Sequence, residues 1–396
     1  MRDRELRRRL LLLRPPDEIG AERRAWSVVR PAFEEREPAS RQGPRVVRPL
    51  LGLAFALALV GAVVNPPVLN AIRDALGTDR HVTVYRHALF SLPAQGRLLA
   101  NSPRGAWVVK PGGARRRLAG YRDASWSPHG LFLTALERHA VVALEPNGGV
   151  RWSLARTGRL AAPRWSPEID GSTRIAYLRN KTLRVVAGDS TGDRLVSRDV
   201  ASVVPAWKPT DRFVVGFVDS AGHVQVVDVD SKKTLWRSGA LGEPLALAWS
   251  TDGTRLLALL PHSVGVFGHN GKRVGGVRLP GRGAALAFQP DTRRFAVLVR
   301  GEAAARGAIV TFDADRLQGS RRLLFAADGT FQDLAWSPDG RWVVTGWRSA
   351  DAWLFVGPGG EQKIVSGIAG QLGSGTGTAR AFPAVATSGW CCPASG

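Results

Sequence analysis

From Phe90 onward the apolar positions fall into short runs separated by turn residues, and the runs follow one plan. Its fullest copy is LAWSPDGRWVVTG, Leu334 to Gly346. Leu334 and Trp336 end one strand on its buried face, Pro338-Asp339-Gly340 reverse the chain, and Trp342-Val343-Val344 open the next strand. Pro presets φ for a turn, Asp bonds nearby backbone N–H groups, and Gly takes a φ > 0 position. Worn copies are WSPHG (Trp126 to Gly130), WSPEIDG (Trp165 to Gly171), WKPTDR (Trp207 to Arg212), WSTDGTR (Trp249 to Arg255) and FQPDTRR (Phe288 to Arg294). FSLPAQGR, Phe90 to Arg97, reads as a seventh, and GWCCP, Gly389 to Pro393, as an eighth half-motif.

Between anchors the same order recurs. After Trp207 come FVVGFVD (Phe213 to Asp219), a Ser220-Ala221-Gly222 hairpin, HVQVVDVD (His223 to Asp230), a Ser231-Lys232-Lys233 turn and TLWRSG (Thr234 to Gly239). The next anchor strand, LALAWS (Leu245 to Ser250), is expected to complete the four. The anchors Phe90, Trp126, Trp165, Trp207, Trp249, Phe288, Trp336 and Trp390 are 36, 39, 42, 42, 39, 48 and 54 residues apart. A period near 40 fits one four-stranded propeller blade. A lone blade cannot bury both faces of its sheet, so the blades must stack and the ring must close. The fold class is therefore all-β: a β-propeller, seven blades favoured and six the alternative, over residues 86–396, with closure pairing strands from the two ends of the domain.

The W-S-P-D-G turn resembles the WD40-like propeller repeats of the TolB kind, across roughly Phe90 to Trp390. Trp336-Ser337-Pro338-Asp339-Gly340 matches in full, Trp126 to Gly130 differs at His129, and Phe288 and Phe90 depart at the Trp. The resemblance implies the fold. It leaves function open, because propellers host scaffolds, sensors and substrate-gating domains alike.

Upstream the pattern changes. Residues 1–49 are a polar, basic tail in which Ile19, Trp26, Val29 and Phe33 recur at roughly helical spacing, as in a short amphipathic helix interrupted at Pro31. Leu50 to Val64 carries no charge, and the apolar stretch reaches Leu69 if Asn65 and two prolines are tolerated, so 50–70 is expected to be a transmembrane helix. A buried soluble helix and a cleaved signal peptide are the competing readings. The first has no place in a propeller, and the second lacks a short basic start and a small-residue cleavage site. Arg36, Arg41, Arg45 and Arg48 precede the span while only Arg73 and Arg80 closely follow it, which places the N-terminus in the cytoplasm and the propeller outside. Asn65 and Pro66 then start a short helix stopped by Gly77, and residues 71–85 form a stalk whose HVTVY leads into the first blade.

Candidate chemistry is sparse. The seven His do not cluster, and no metal site or cofactor is expected. Gly188-Asp189-Ser190-Thr191-Gly192 matches a nucleophile elbow in letters but is followed by a strand pattern, which makes it a blade hairpin. The Asp228/Asp230 and Asp313/Asp315 pairs read as turn chemistry rather than Ca²⁺ ligands. Cys391 and Cys392 are the only cysteines; a vicinal bridge, a bond to another chain and free thiols all stay open, with packing behind Trp390 in the closing blade preferred to a redox role.

Charge supplies the remaining hint. The net charge is +22, and residues 1–48 hold 13 basic and 8 acidic side chains, so +17 lies beyond them. Arg115-Arg116-Arg117, Arg293-Arg294 and Arg321-Arg322 are its local concentrations. Outside a cell such a field favours anionic lipid headgroups or wall polymers, and no nucleic acid is expected. The resulting expectation is a membrane-anchored, non-catalytic extracytoplasmic scaffold for a protein or an anionic envelope component. Two alternatives stand beside it. One is a transmembrane sensor with a topology similar to anti-sigma factors, although their zinc motif is missing. The other is a propeller-type hydrolase, although no catalytic domain follows the last blade.

Overall fold

A middle strand sandwiched between two blades must be apolar on both faces, while an outermost strand needs to be apolar on one only. The computed structural model describes residues 82–85, 91–301, 306–372 and 382–392. The tail and the expected span at 50–70 lie outside the described residues. No helix among the described residues is long and apolar enough to cross a membrane.

The strands form seven four-stranded blades. A first strand, β1 (Val82–Tyr85), belongs to the last blade and is taken up below. Blade 1 contains β2 (Arg97–Ser102), β3 (Gly105–Val109) and β4 (Arg115–Ala119). Blade 2 is β5 (Arg122–Trp126), β6 (Leu133–Glu137), β7 (Ala140–Leu144) and β8 (Val150–Ala155). Blade 3 is β9 (Leu160–Trp165), β10 (Arg174–Arg179), β11 (Thr182–Ala187) and β12 (Arg194–Ser197). Blade 4 is β13 (Ala206–Trp207), β14 (Val214–Val218), β15 (His223–Asp228) and β16 (Lys233–Ala240). Blade 5 is β17 (Ala246–Trp249), β18 (Arg255–Leu260), β19 (Ser263–Gly268) and β20 (Arg273–Arg278). Blade 6 is β21 (Arg282–Phe288), β22 (Arg294–Arg300), β23 (Arg306–Asp313) and β24 (Arg322–Asp328). Blade 7 is β25 (Phe331–Trp336), β26 (Val343–Trp347), β27 (Ala352–Val356) and β28 (Gln362–Ser366).

All residues of β7, β14, β26 and β27 are buried, whereas most of the outermost strands β8 and β16 are exposed. Seven apolar clusters fill the seven spaces between neighbouring blades. Leu98, Trp353, Phe355 and Trp390 share the cluster between blades 7 and 1, and Leu257, Phe295 and Phe312 share that between 5 and 6. The count of blades is thus seven, and the six-bladed alternative falls away.

Two details differ from the sequence expectation. Leu245 to Ser250 does not complete the blade before it: β17 pairs with β18, Trp249 opposite Leu256, and opens blade 5. The reason is local, since the tight turn after each anchor pairs the two strands it joins. In addition, HVTVY does not lead into the first blade, because β1 runs parallel to β28, Val82 opposite Gln362, as a fifth strand on blade 7. The last strand, β29 (Ala384–Cys391), pairs antiparallel with β2 and is the first strand of blade 1. Both chain ends of the domain therefore cross the closure, and the irregular first and last sequence units are the two parts of one blade.

Candidate functional site

Trp126, Trp165, Trp207, Trp249, Phe288 and Trp336 each end the first strand of a blade, Trp390 stands one residue before the end of β29, and Phe90 lies outside the described residues. The turn after an anchor repeats one hydrogen-bonded frame. The Ser337 N–H donates to the Trp342 carbonyl at 2.7 Å and the Gly340 N–H to the Ser337 carbonyl at 2.9 Å. Ser127, Ser250 and Ser337 accept, on Oγ, the N–H of Phe132, Arg255 and Trp342 at 2.9 to 3.0 Å. Asp339 accepts the Arg341 N–H at 3.1 Å, and Gly340 sits at φ +65°. Pro338 leads the chain into this reversal.

The anchor indoles join neighbouring blades. Trp126, Trp207 and Trp336 donate their Nε1–H to the carbonyls of Gly389, Arg164 and Ala287 at 3.3, 2.9 and 3.2 Å. In each case the acceptor immediately precedes the anchor of the preceding blade: Trp390, Trp165 and Phe288. Trp165 and Trp249 are packed the same way, but their Nε1–H groups have no partner. In blade 1 the motif is divided between chain ends: Trp390 comes from β29, and the turn comes from Ser91 to Gly96.

The first strands converge on an axial cavity of about 640 Å³ at the anchor end of the ring. Its wall is mainly apolar, with Leu247, Trp249, Ala285, Trp336 and Trp390 contributed by four blades. Cys391 and Cys392 line the same cavity and are joined to each other by a disulfide. The three sequence alternatives for the pair are thereby reduced to the vicinal bridge, at the end of the closing strand.

Asp333 is the single titratable side chain among the lining residues. It lies three residues before Trp336 with φ +59°, and Asp123 and Ala162 hold the same place before Trp126 and Trp165 with φ +50° and +54°. The left-handed residue bulges the strand and turns its side chain toward the next blade. Asp123 accepts the Ala162 N–H at 2.5 Å, and Asp333 accepts the Val385 N–H. The second oxygen of Asp333 is enclosed without a partner. Burial raises its pKa to about 6, against the opposing pull of that N–H, Arg300 and Arg348. The repeat pattern carried no sign of this group except its isolation in an apolar strand.

Other ionised groups are structural. Asp193 takes Arg156, Arg184 and Tyr177 on its two oxygens at 2.6 to 3.2 Å, and burial is outweighed by these partners, so its pKa falls. Asp219 caps the β14–β15 hairpin in the same manner through Ala221, His223, Gln225 and Arg237. The Gly188–Gly192 segment is the β11–β12 turn, with the Ser190 N–H donating to the Ala187 carbonyl at 2.9 Å. Asp228 and Asp313 each accept two backbone N–H groups of their own turns. Among the described residues no three His, Cys, Asp or Glu side chains form a metal-sized group.

The basic concentrations lie on or beside the outermost strands of blades 1 and 6 and, for Arg293-Arg294, at the turn between β21 and β22. Arg115, Arg116 and Arg117 are all exposed on the outermost strand of blade 1. Arg293 is ion-paired with Asp252 and Asp315, while its neighbour Arg294 is exposed.

No protein-family model and no curated protein matches the chain. Among solved structures it is similar to a KlHsv2 variant with loop 6CD replaced by a Gly-Ser linker, at 10% identity over 68% of this chain and 93% of that one, TM-score 0.51. It is also similar to Kluyveromyces lactis Hsv2 (9%, the same coverages, TM-score 0.49) and to Kuenenia stuttgartiensis hydrazine synthase (15%, 59% and 75%, TM-score 0.45). At these identities the likeness concerns the fold alone.

Proposed function

We propose that the protein is a single-pass membrane protein, N-terminus in the cytoplasm, presenting a non-catalytic propeller of WD40-like, TolB-type repeats outside as a binding scaffold for an anionic envelope component or an acidic protein face. The observation that carries the binding reading is the exposed Arg115-Arg116-Arg117 edge, in which Arg115 donates to Gln371 at 2.6 Å, on a domain whose excess charge is strongly positive. The planar guanidinium fork matches carboxylate and phosphate and loses less freedom per hydrogen bond formed than a flexible ammonium does. The anchor rests on the uncharged run Leu50 to Val64 and the arginines that precede it.

Tags at both chain ends and protease on intact cells test the topology: the C-terminal tag should be digested and the N-terminal tag protected. Protection of both until lysis would overturn the extracytoplasmic placement. Co-sedimentation of the full chain with anionic and neutral vesicles or wall polymer tests the partner class, and equal pelleting with both vesicle types would remove the electrostatic basis.

A further inference from the structure

Where blades 1 and 2 splay apart at the anchor end they leave a groove of about 610 Å³, a volume in the range of small-molecule sites. Strand register explains its chemistry. Arg97, Val108, Lys110 and Arg116 lie on the one face of blade 1 that packs against blade 2, because Leu99 and Val108, and Val108 and Arg116, are direct partners. Arg97 and Lys110 face each other just beyond the Leu98–Val109 pair, one step past Leu99 and Val108, and Arg116 stands opposite Val108 on the next strand, so the three cations line one side of the groove.

Arg97 is committed: it donates to the Gly130 carbonyl at 2.6 Å and lies over the Trp126 ring. Lys110 and Arg116 are exposed, and among the described residues neither has a side-chain hydrogen bond or ion pair. The facing wall is blade 2, with Leu131 56% exposed, Phe132 and Pro146. Its one acid, Glu145, is occupied by Arg151 at 3.3 Å and Asn147 at 2.9 Å. One side of the groove therefore offers uncompensated positive charge, and the other offers apolar surface left in water.

We propose that this groove binds a discrete anionic amphiphile, with its phosphate or carboxylate head on Lys110 and Arg116 and its alkyl body on Leu131, Phe132 and Pro146. The inference deepens the scaffold reading and rests on it, by giving the anionic envelope component a chemical class and a place. A head alone would leave the apolar wall wet, and an uncharged chain would leave both cations unmatched.

The test uses the full chain in neutral phosphatidylcholine nanodiscs, with octyl phosphate as probe and inorganic phosphate and octanol as controls, followed by equilibrium dialysis. Octyl phosphate should bind saturably at one site, and both controls should bind roughly tenfold more weakly or worse. The Lys110→Glu/Arg116→Glu pair and Leu131→Asp should each weaken octyl phosphate by roughly tenfold. All three positions are exposed, and unchanged thermal melts will confirm folding. Equal binding of inorganic phosphate, equal binding of octanol, or indifference to the charge-reversed pair would each overturn the proposal. Loss of octyl phosphate binding with retained pelleting on anionic vesicles would sink the groove and leave the scaffold reading standing. Failure of both would remove the scaffold reading too.

Discussion

The indole N–H of Trp390 donates to the carbonyl of Gln95 at 3.1 Å, joining the last anchor of the chain to the first turn. What looks in sequence like two defective repeats is one complete motif whose strand and turn come from opposite ends of the domain. The closure carries large apolar groups: Trp390 is 6% exposed and meets Phe355 edge-to-face at 5.5 Å between ring centres.

Trp390→Ala should therefore destabilise the propeller by about 3 to 5 kcal/mol, the usual cost of emptying a core aromatic site. Trp390→Phe keeps most of the packing and should lose about 1 kcal/mol for the missing hydrogen bond. Chemical denaturation of the two variants checks the order; equal effects would mean that the bond to Gln95, not the packing, holds the closure.

Ser337 is fully buried and accepts the Trp342 N–H at 2.9 Å, whereas Asp339 beside it is exposed. Ser337→Ala should cost about 1 to 3 kcal/mol because a buried donor loses its partner. Asp339→Ala should cost less. The comparison is read from denaturation midpoints at constant m-value.

A Cβ on Gly222, at φ +82°, would stand 2.1 Å from the Gly242 carbonyl oxygen, so Gly222→Ala combines backbone strain with a clash against main chain. The loss should exceed the roughly 1 kcal/mol of an ordinary left-handed Gly→Ala change. Gly359→Ala, also left-handed but in open space, is the matched control.

Asp333 gives stability a pH dependence of defined sign. Its folded pKa, about 6, lies above the ordinary 3.8, so between these values the folded state holds a proton that the unfolded state releases. Stability from this group is intact below pH ~4, declines as pH rises, and is lower by about 2 to 3 kcal/mol above pH ~6. Asp333→Asn, which tolerates the same backbone conformation, should be more stable than the parent at pH 8 and equal to it at pH 3.5. Thermal melts at both pH values decide it, and a gain of the same size at both would assign the effect to something other than ionisation.

Asp219 has the opposite sign. Burial disfavours its charge, but the N–H of His223 and the side chains of Gln225, Arg237 and His223 outweigh it and hold its pKa well below the usual carboxylate range. The stability it adds is complete above its unfolded pKa near 4 and is lost as pH falls toward the folded value. Asp219→Ala should be destabilised at neutral pH and lose less on acidification than the parent, as followed by an acid titration of the melting temperature.

What the sequence by itself determined is the repeating unit: Trp336-Ser337-Pro338-Asp339-Gly340 and its worn copies encode strand, reversal and strand through local backbone preferences and a period near 40. Those forces act within a few residues, so they are readable in a line of letters, and they required stacked blades before any contact was known. Only the tertiary structure decided which strands share a blade, that seven blades close the ring, and that β29 and β1 cross the closure in opposite senses. The same holds for the functional candidates. Arg97, Lys110 and Arg116 become neighbours through register, and Leu131 faces them only because blade 2 stacks on blade 1. The enclosed oxygen of Asp333 likewise depends on the blade beside it, and burial and charge pairing of that kind are properties of surfaces that meet.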